Sequence, residues 1–89
     1  SQYRGADLQD ADFFGQDLKG QDFSGANVSG ANFEKAELDG ARFDGATCDG
    51  ANFHVASLND SSFRGANLKK AMLKQAKLNG ANLEGADLT

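Results

Sequence analysis

The residues that could do chemistry in this chain are few and far apart. Cys48 is the single cysteine and His54 the single histidine, so an internal disulfide and the usual structural zinc sites are excluded. A reactive thiol or a catalytic imidazole needs a base or second ligand nearby. The spacing of residues along the chain places no such group beside Cys48 or His54. One acidic series recurs every five residues: Asp7, Asp12, Asp17 and Asp22. Because successive members of such a series point in different directions, we expect neither calcium nor any other metal, cofactor or catalysis there.

Composition gives few further clues to function. The 89 residues carry a net charge of −4, with a pI of about 4.7, which does not favour electrostatic binding of nucleic acid. No apolar run approaches the roughly 18 residues that a membrane span needs. We expect residues 1–89 to form a single domain, and one too small for a conventional globular core to stabilise well.

A five-residue period runs through the whole chain. Its 18 centres, one in each unit, are mostly leucine or phenylalanine, from Tyr3 and Leu8 through Cys48 to Leu88. All 14 alanines lie two residues before a centre, and all 11 glycines lie two residues after one. No linker interrupts this register, so the sequence predicts a solenoid built from one repeated unit.

The repeated unit predicts a short strand followed by a turn. A helix would need apolar spacings of three and four, and a glycine in every fifth position would cost it about 1 kcal/mol each time. Glycine at the second turn position supplies the positive φ of a type II turn. At six such positions another residue stands, and there we predict a turn that does not need positive φ: Asp10, Lys35, Val55, Asp60, Lys70 and Gln75.

Units such as Ala26-Asn27-Val28-Ser29-Gly30 and Ala81-Asn82-Leu83-Glu84-Gly85 resemble the pentapeptide-repeat family, and the resemblance covers essentially the whole chain. It implies an all-β fold, a right-handed, quadrilateral parallel β-helix with 20 residues per coil and about four and a half coils. The alternation of phenylalanine and leucine agrees with this count, because a 20-residue coil stacks like residues on like. One predicted column is Tyr3, Phe23, Phe43, Phe63 and Leu83, and the opposite one is Phe13, Phe33, Phe53 and Leu73.

Three sets of residues are candidates for contact with partners. Residues 61–80 carry a net charge of +5 in an otherwise acidic chain, and they form a predicted basic belt: Arg64, Lys69, Lys70, Lys74 and Lys77. One side of the rod presents a candidate partner-contact face: Phe14, His54, Val55, Met72 and Lys74. The leucines of the last coil form a candidate end-to-end interface, because open strands template further pairing: Leu73, Leu78, Leu83 and Leu88. Docking on an acidic protein or anionic surface, an end-to-end homodimer and a flanking domain all remain open.

The resemblance implies a non-catalytic scaffold or protein-interaction module whose specific role and partner are unknown. The alternative is a DNA mimic that binds DNA gyrase, as some quinolone-resistance members of the family do. Two features depart from that pattern, since the basic belt interrupts the acidic surface and Leu88-Thr89 reaches no C-terminal helix. Family analogy points to cyanobacterial cytoplasm or the thylakoid lumen, although nothing in the chain itself marks a compartment.

Overall fold

The computed structural model describes residues 2–89. Within that range the chain forms no helix and no strand longer than one bridging residue. Instead, 13 isolated parallel β-bridges join residues 20 apart, from Asp7 with Asn27 to Asn67 with Asp87. A two-residue turn follows each bridging residue from Asp7 to Asn82, so four bridging units and 20 residues make one coil, and the predicted number of residues per coil is confirmed. No segment of residues 2–89 is a helix with the length and apolar character of a bilayer span.

Backbone hydrogen bonds tie every coil to the next. A centre residue donates to the carbonyl 19 positions ahead, as Leu8 N–H does to Asn27 O at 2.7 Å. The residue before a centre donates back to the previous coil, as Asn27 N–H does to Ala6 O at 2.9 Å. The second turn residue also donates forward, as Asp10 N–H does to Ser29 O at 2.9 Å. The coils are thus held together at the turns as well as along the sides.

The prediction that six turns avoid positive φ is wrong. Asp10, Lys35, Val55, Asp60, Lys70 and Gln75 all have φ between 59° and 63°. The reason is the ladder between coils. At Asp10, Lys35, Val55 and Asp60 the N–H of the second turn residue reaches a carbonyl of the next coil, as Val55 N–H reaches Lys74 O at 3.0 Å. The turns of Lys70 and Gln75 are bonded to the preceding coil instead, because the carbonyls of Lys69 and Lys74 accept from Gly50 N–H and Val55 N–H. Stacking therefore imposes one turn geometry on every unit, although positive φ costs a residue with a side chain about 1–2 kcal/mol.

The core consists of the centre residues and the alanines that precede them, both facing inward. Phe23 stacks on Tyr3 and on Phe43 with ring centroids 4.8 Å apart in both cases, which confirms the predicted column. Rings of neighbouring columns meet edge to face, as Phe33 and Phe43 do at 5.6 Å, an arrangement that aromatic quadrupoles favour. Burial is complete from Phe23 to Phe63 and falls in the outermost coils, where each apolar residue has a neighbour on one side only.

Candidate functional site

Cys48 and His54, the two residues that could take part in catalysis, lie apart, and neither has surroundings that would activate it. Cys48 is fully buried at a centre position, and burial, with the nearby charge of Asp49, raises the pKa of its thiol to about 12. A thiol in this state is not a nucleophile. His54 lies at a turn, where its backbone N–H donates to Asn52 Oδ1 at 2.9 Å. Residues 2–89 gather no three histidine, cysteine or acidic side chains that could hold a metal.

The aspartates of the acidic series stabilise the turns by accepting hydrogen bonds from backbone N–H groups. Asp12 Oδ1 accepts a hydrogen bond from Phe14 N–H at 3.0 Å, and Asp17 Oδ1 accepts one from Lys19 N–H at 3.2 Å. Each aspartate thus caps the backbone two residues ahead, the Asx-turn geometry. Asparagine performs the same task elsewhere, so this position selects a carbonyl oxygen rather than a charge. The sequence signal was the recurrence of Asp and Asn one residue before a centre.

A second kind of cap reaches from one coil to the next. Asp39 Oδ1 accepts from Ser57 Oγ at 2.5 Å and from Asn59 N–H at 2.9 Å. Asp44 does the same for the Ser62 hydroxyl and for Arg64 N–H. These aspartates were not singled out from the sequence. The signal that could have found them is a serine 18 residues after an aspartate, which the 20-residue coil places beside it.

The basic belt is partly neutralised. Arg64 pairs with Glu84 at 3.1 Å, and Lys69 lies 3.8 Å from Asp87. The pKa of Asp87 is lowered, chiefly because the backbone N–H and hydroxyl of Thr89 stabilise its charged form. Lys70, Lys74 and Lys77 make no ion pair with any residue between 2 and 89. The belt therefore consists of five cations around the rod, and the three without an ion pair lie on three successive sides, those of residues 67–70, 72–75 and 77–80.

The candidate face lies on one side of the rod, and we call this the contact side: the outer surface of residues 12–15, 32–35, 52–55 and 72–75. Its middle column is joined by bridges from Asp12 through Asn32 and Asn52 to Met72. Its turn column holds Phe14, Glu34, His54 and Lys74 in successive coils, as the turn hydrogen bonds between coils show.

Most of the exposed apolar surface lies on the contact side. Phe14, Val55 and Met72 are 49%, 44% and 40% exposed, and the other large apolar residue this exposed within residues 2–89 is Leu88. All three lie within the contact side by register, and that a partner binds there stays a prediction. Sequence reasoning missed Lys35, whose Nζ lies 5.7 Å from the centroid of the Phe14 ring. It also missed Glu34, which the turn hydrogen bonds place between Phe14 and His54.

The leucines of the last coil differ in exposure. Leu88 is 54% exposed, whereas Leu73, Leu78 and Leu83 pack against the core and are half-buried. The N–H groups of these four leucines find no backbone acceptor within residues 2–89. Such open donors would suit a further coil or a second chain. The end-to-end contact, like the flanking domain, stays a prediction.

Comparison with known proteins gives one consistent result. A family model described as pentapeptide repeats, with 8 copies, matches residues 6–45, 22–60, 36–75 and 51–89. A pentapeptide repeat protein from Nostoc Pcc 7120 is 36% identical with a TM-score of 0.74, over 92% of this chain and 64% of its own. One from the thylakoid lumen of Arabidopsis thaliana is 36% identical with a TM-score of 0.61, over 98% and 57%.

A third solved structure, Rfr23 from the cyanobacterium Cyanothece 51142, is 26% identical with a TM-score of 0.55, over 94% of this chain and 61% of its own. This chain therefore spans less than two thirds of the length of each of these solved relatives. No curated protein matches it.

Proposed function

This chain belongs to the pentapeptide-repeat family, and on that premise we propose that it is a rigid, non-catalytic scaffold that binds a partner through its contact side. The right-handed, quadrilateral β-helix that the family forms is part of the proposal. The four sides observed here, each advancing by 20 residues per coil, support it. A rod of this kind presents fixed columns of side chains, so that a partner meets a surface already organised for binding.

The observation that carries the proposal is the coincidence of Phe14, Val55 and Met72 on one side. Scattered exposed apolar residues are ordinary, but several on one surface are typical of interaction sites. Around them stand His54 and Lys74, which make no ion pair within residues 2–89. Aromatic and methionine side chains are enriched at protein interfaces, and polar and charged residues lie mainly at the rim.

The test compares the chain with a triple variant that makes the contact side polar: Phe14→Ser, Val55→Thr and Met72→Gln. Both are immobilised and used to capture proteins from extracts of the cells that make the chain. We expect the triple variant to lose partners that the unchanged chain retains. A control variant, Arg42→Gln on the opposite side, should retain them. Identical capture by the unchanged chain and the triple variant would overturn the proposal.

A DNA gyrase supercoiling assay separates this function from DNA mimicry. We expect no inhibition, because the cations at Lys70, Lys74 and Lys77 interrupt the acidic surface that a DNA mimic would need. Inhibition at stoichiometric concentration that survives the triple variant would favour the mimic.

A further inference from the structure

The charges of the contact side are ordered along the rod. Its acids, Asp12 and Glu34, lie in the first two coils, and the basic residues His54 and Lys74 lie in the next two. Lys35 is the exception, and its ammonium group is directed over the ring of Phe14. The formal charge of the contact side is zero when His54 is counted as neutral. The half in the first two coils is nevertheless acidic, and the half in the next two coils is basic.

This order makes the side complementary to itself. A two-fold axis lying in the plane of the side and running along the strands keeps every column in place and reverses the order of the coils. Glu34 of one copy then faces His54 of the other, and Phe14 faces Lys74. Both pairs occur twice. The first is attractive through a charge-assisted hydrogen bond, and in the second the alkyl stem of Lys74 packs against the Phe14 ring, whose own copy already supplies the ammonium group of Lys35.

The middle column agrees with the same arrangement. The rotation brings Asn32 opposite Asn52, whose amides can donate to and accept from each other. It also brings Met72 opposite Asp12 and beside Phe14 of the other copy, within reach of a sulfur–aromatic contact. The alternative two-fold axis, parallel to the rod, would align equal coils and set acid beside acid. Only the antiparallel arrangement avoids opposing two like charges in both the middle column and the turn column.

We propose that the contact side binds a second copy of this chain, antiparallel and side to side, as an isologous dimer. This rests on the proposed function, since it names the partner of the same surface. The molecule measures 25 × 24 × 23 Å, so one side contributes at most about 600 Å² per copy, which is the small end of specific interfaces. The dimer is therefore weak, and its dissociation constant lies in the range of about 10 µM to 1 mM.

Two charge changes test the pairing of Glu34 with His54. Glu34→Lys sets an ammonium group against His54, and His54→Glu sets two acids against each other, so each variant alone should dimerise at least tenfold more weakly. Mixed one to one, the two variants restore attraction at both contacts, and the mixture should dimerise at least tenfold more tightly than either alone. Sedimentation velocity and equilibrium from 10 µM to 2 mM measure all three. Asp49→Lys, the same kind of charge change at an equivalent turn position on another side, should dimerise as the unchanged chain does.

The outcomes separate the possible explanations. A monomer at 2 mM, or a mixture of the two variants that dimerises no better than its components, overturns the proposal. So does a dimer that Leu83→Glu dissociates and Glu34→Lys leaves intact, because the contact would then be at the end of the rod. The proposed function fails separately, since it depends on capture by the triple variant and not on self-association. Far-ultraviolet circular dichroism confirms that each variant retains the coil.

Discussion

Replacing Ser61 with alanine should stabilise the coil. Ser61 occupies the inward position that alanine fills in the coils before and after it, at Ala41 and Ala81, and it is 1% exposed. Its hydroxyl has no hydrogen-bond partner within residues 2–89, whereas its backbone N–H donates to Leu58 O at 3.2 Å. The side chain is therefore a buried polar group at a position where the adjacent coils hold the methyl groups of Ala41 and Ala81.

The magnitude follows from desolvation. A buried hydroxyl without a partner costs about 1–3 kcal/mol, and removing one oxygen leaves a void worth a few tenths of a kcal/mol. The net gain for Ser61→Ala should be about 1 kcal/mol in the free energy of unfolding. For a chain of this size that change raises the melting temperature by roughly 4–8 °C. The backbone is unaffected, because its hydrogen bonds do not involve the hydroxyl.

The neighbouring serine supplies a matched control of opposite sign. The hydroxyl of Ser62 donates to Asp44 Oδ1 in the preceding coil, so Ser62→Ala removes a charge-assisted bond and should cost about 1 kcal/mol. Thermal and urea unfolding of both variants, followed by circular dichroism, measures the difference. A Ser61→Ala variant that melts at or below the temperature of the unchanged chain would refute the reasoning, since the hydroxyl would then have a partner.

Three further changes test the core and the turns, and thermal unfolding measures each one. Phe43→Ala removes a fully buried ring stacked on both faces and should cost about 3–5 kcal/mol; a smaller loss than about 2 kcal/mol would contradict the assigned core. Val55→Gly should stabilise by about 0.5–1 kcal/mol, because a β-branched residue is strained at φ 63° and glycine is not, whereas an unchanged melting temperature would show that the turn carries no strain. Gly80→Ala should cost more than Gly45→Ala, because a Cβ at Gly80 would meet the carboxylate of Asp60, whereas one at Gly45 meets nothing. Asp60→Gly should abolish that difference, and a difference that persists would locate its cause elsewhere.

The fold could be predicted from the sequence because one residue type marks each structural position. The five-residue register runs without interruption, with alanine at most positions two residues before a centre and glycine at most positions two residues after one, and this fixes the direction of each side chain. The number of residues per coil could be predicted only from a pattern that extends over several five-residue units. That pattern was the spacing of Phe23, Phe43 and Phe63, which matters physically because aromatic rings gain from stacking on rings. The structure shows that stacking at 4.8 Å.

The turns at the six positions without glycine could not be predicted so simply. A local rule says that Val55 avoids positive φ, and for an isolated turn that rule would hold. In the coil, however, the turn is bonded to the coils on either side, by Lys35 N–H to His54 O at 2.9 Å and by Val55 N–H to Lys74 O at 3.0 Å. A different backbone conformation at one turn would break its hydrogen bonds to the turns of the adjacent coils. The stacking of coils therefore determines φ, even at a residue that disfavours a positive value.

The same coupling between coils governs the ion pairs of the belt. Arg64 and Glu84 are 20 residues apart, and Lys69 and Asp87 are 18 apart, which are the separations that bring side chains of adjacent coils together. Counting charge along the chain located the belt but missed its neutralisation. Counting in steps of 20 would have found the partner of Arg64, and counting in steps of 18 the partner of Lys69. In a solenoid, charges have to be summed along columns before a stretch of sequence is taken as a charged surface.

The distribution of tasks among the five positions of a unit explains where specificity can lie. Two positions form the core, the position before the centre caps the turn, and the second turn residue is held by the ladder. The first turn residue alone has a side chain that folding does not generally require, and it is the most varied position, as Phe14, Glu34, His54 and Lys74 show. A partner can therefore be recognised through these turn columns, and the column on the contact side, which Val55 and Met72 flank, is the one where apolar, acidic and basic groups succeed one another along a single line.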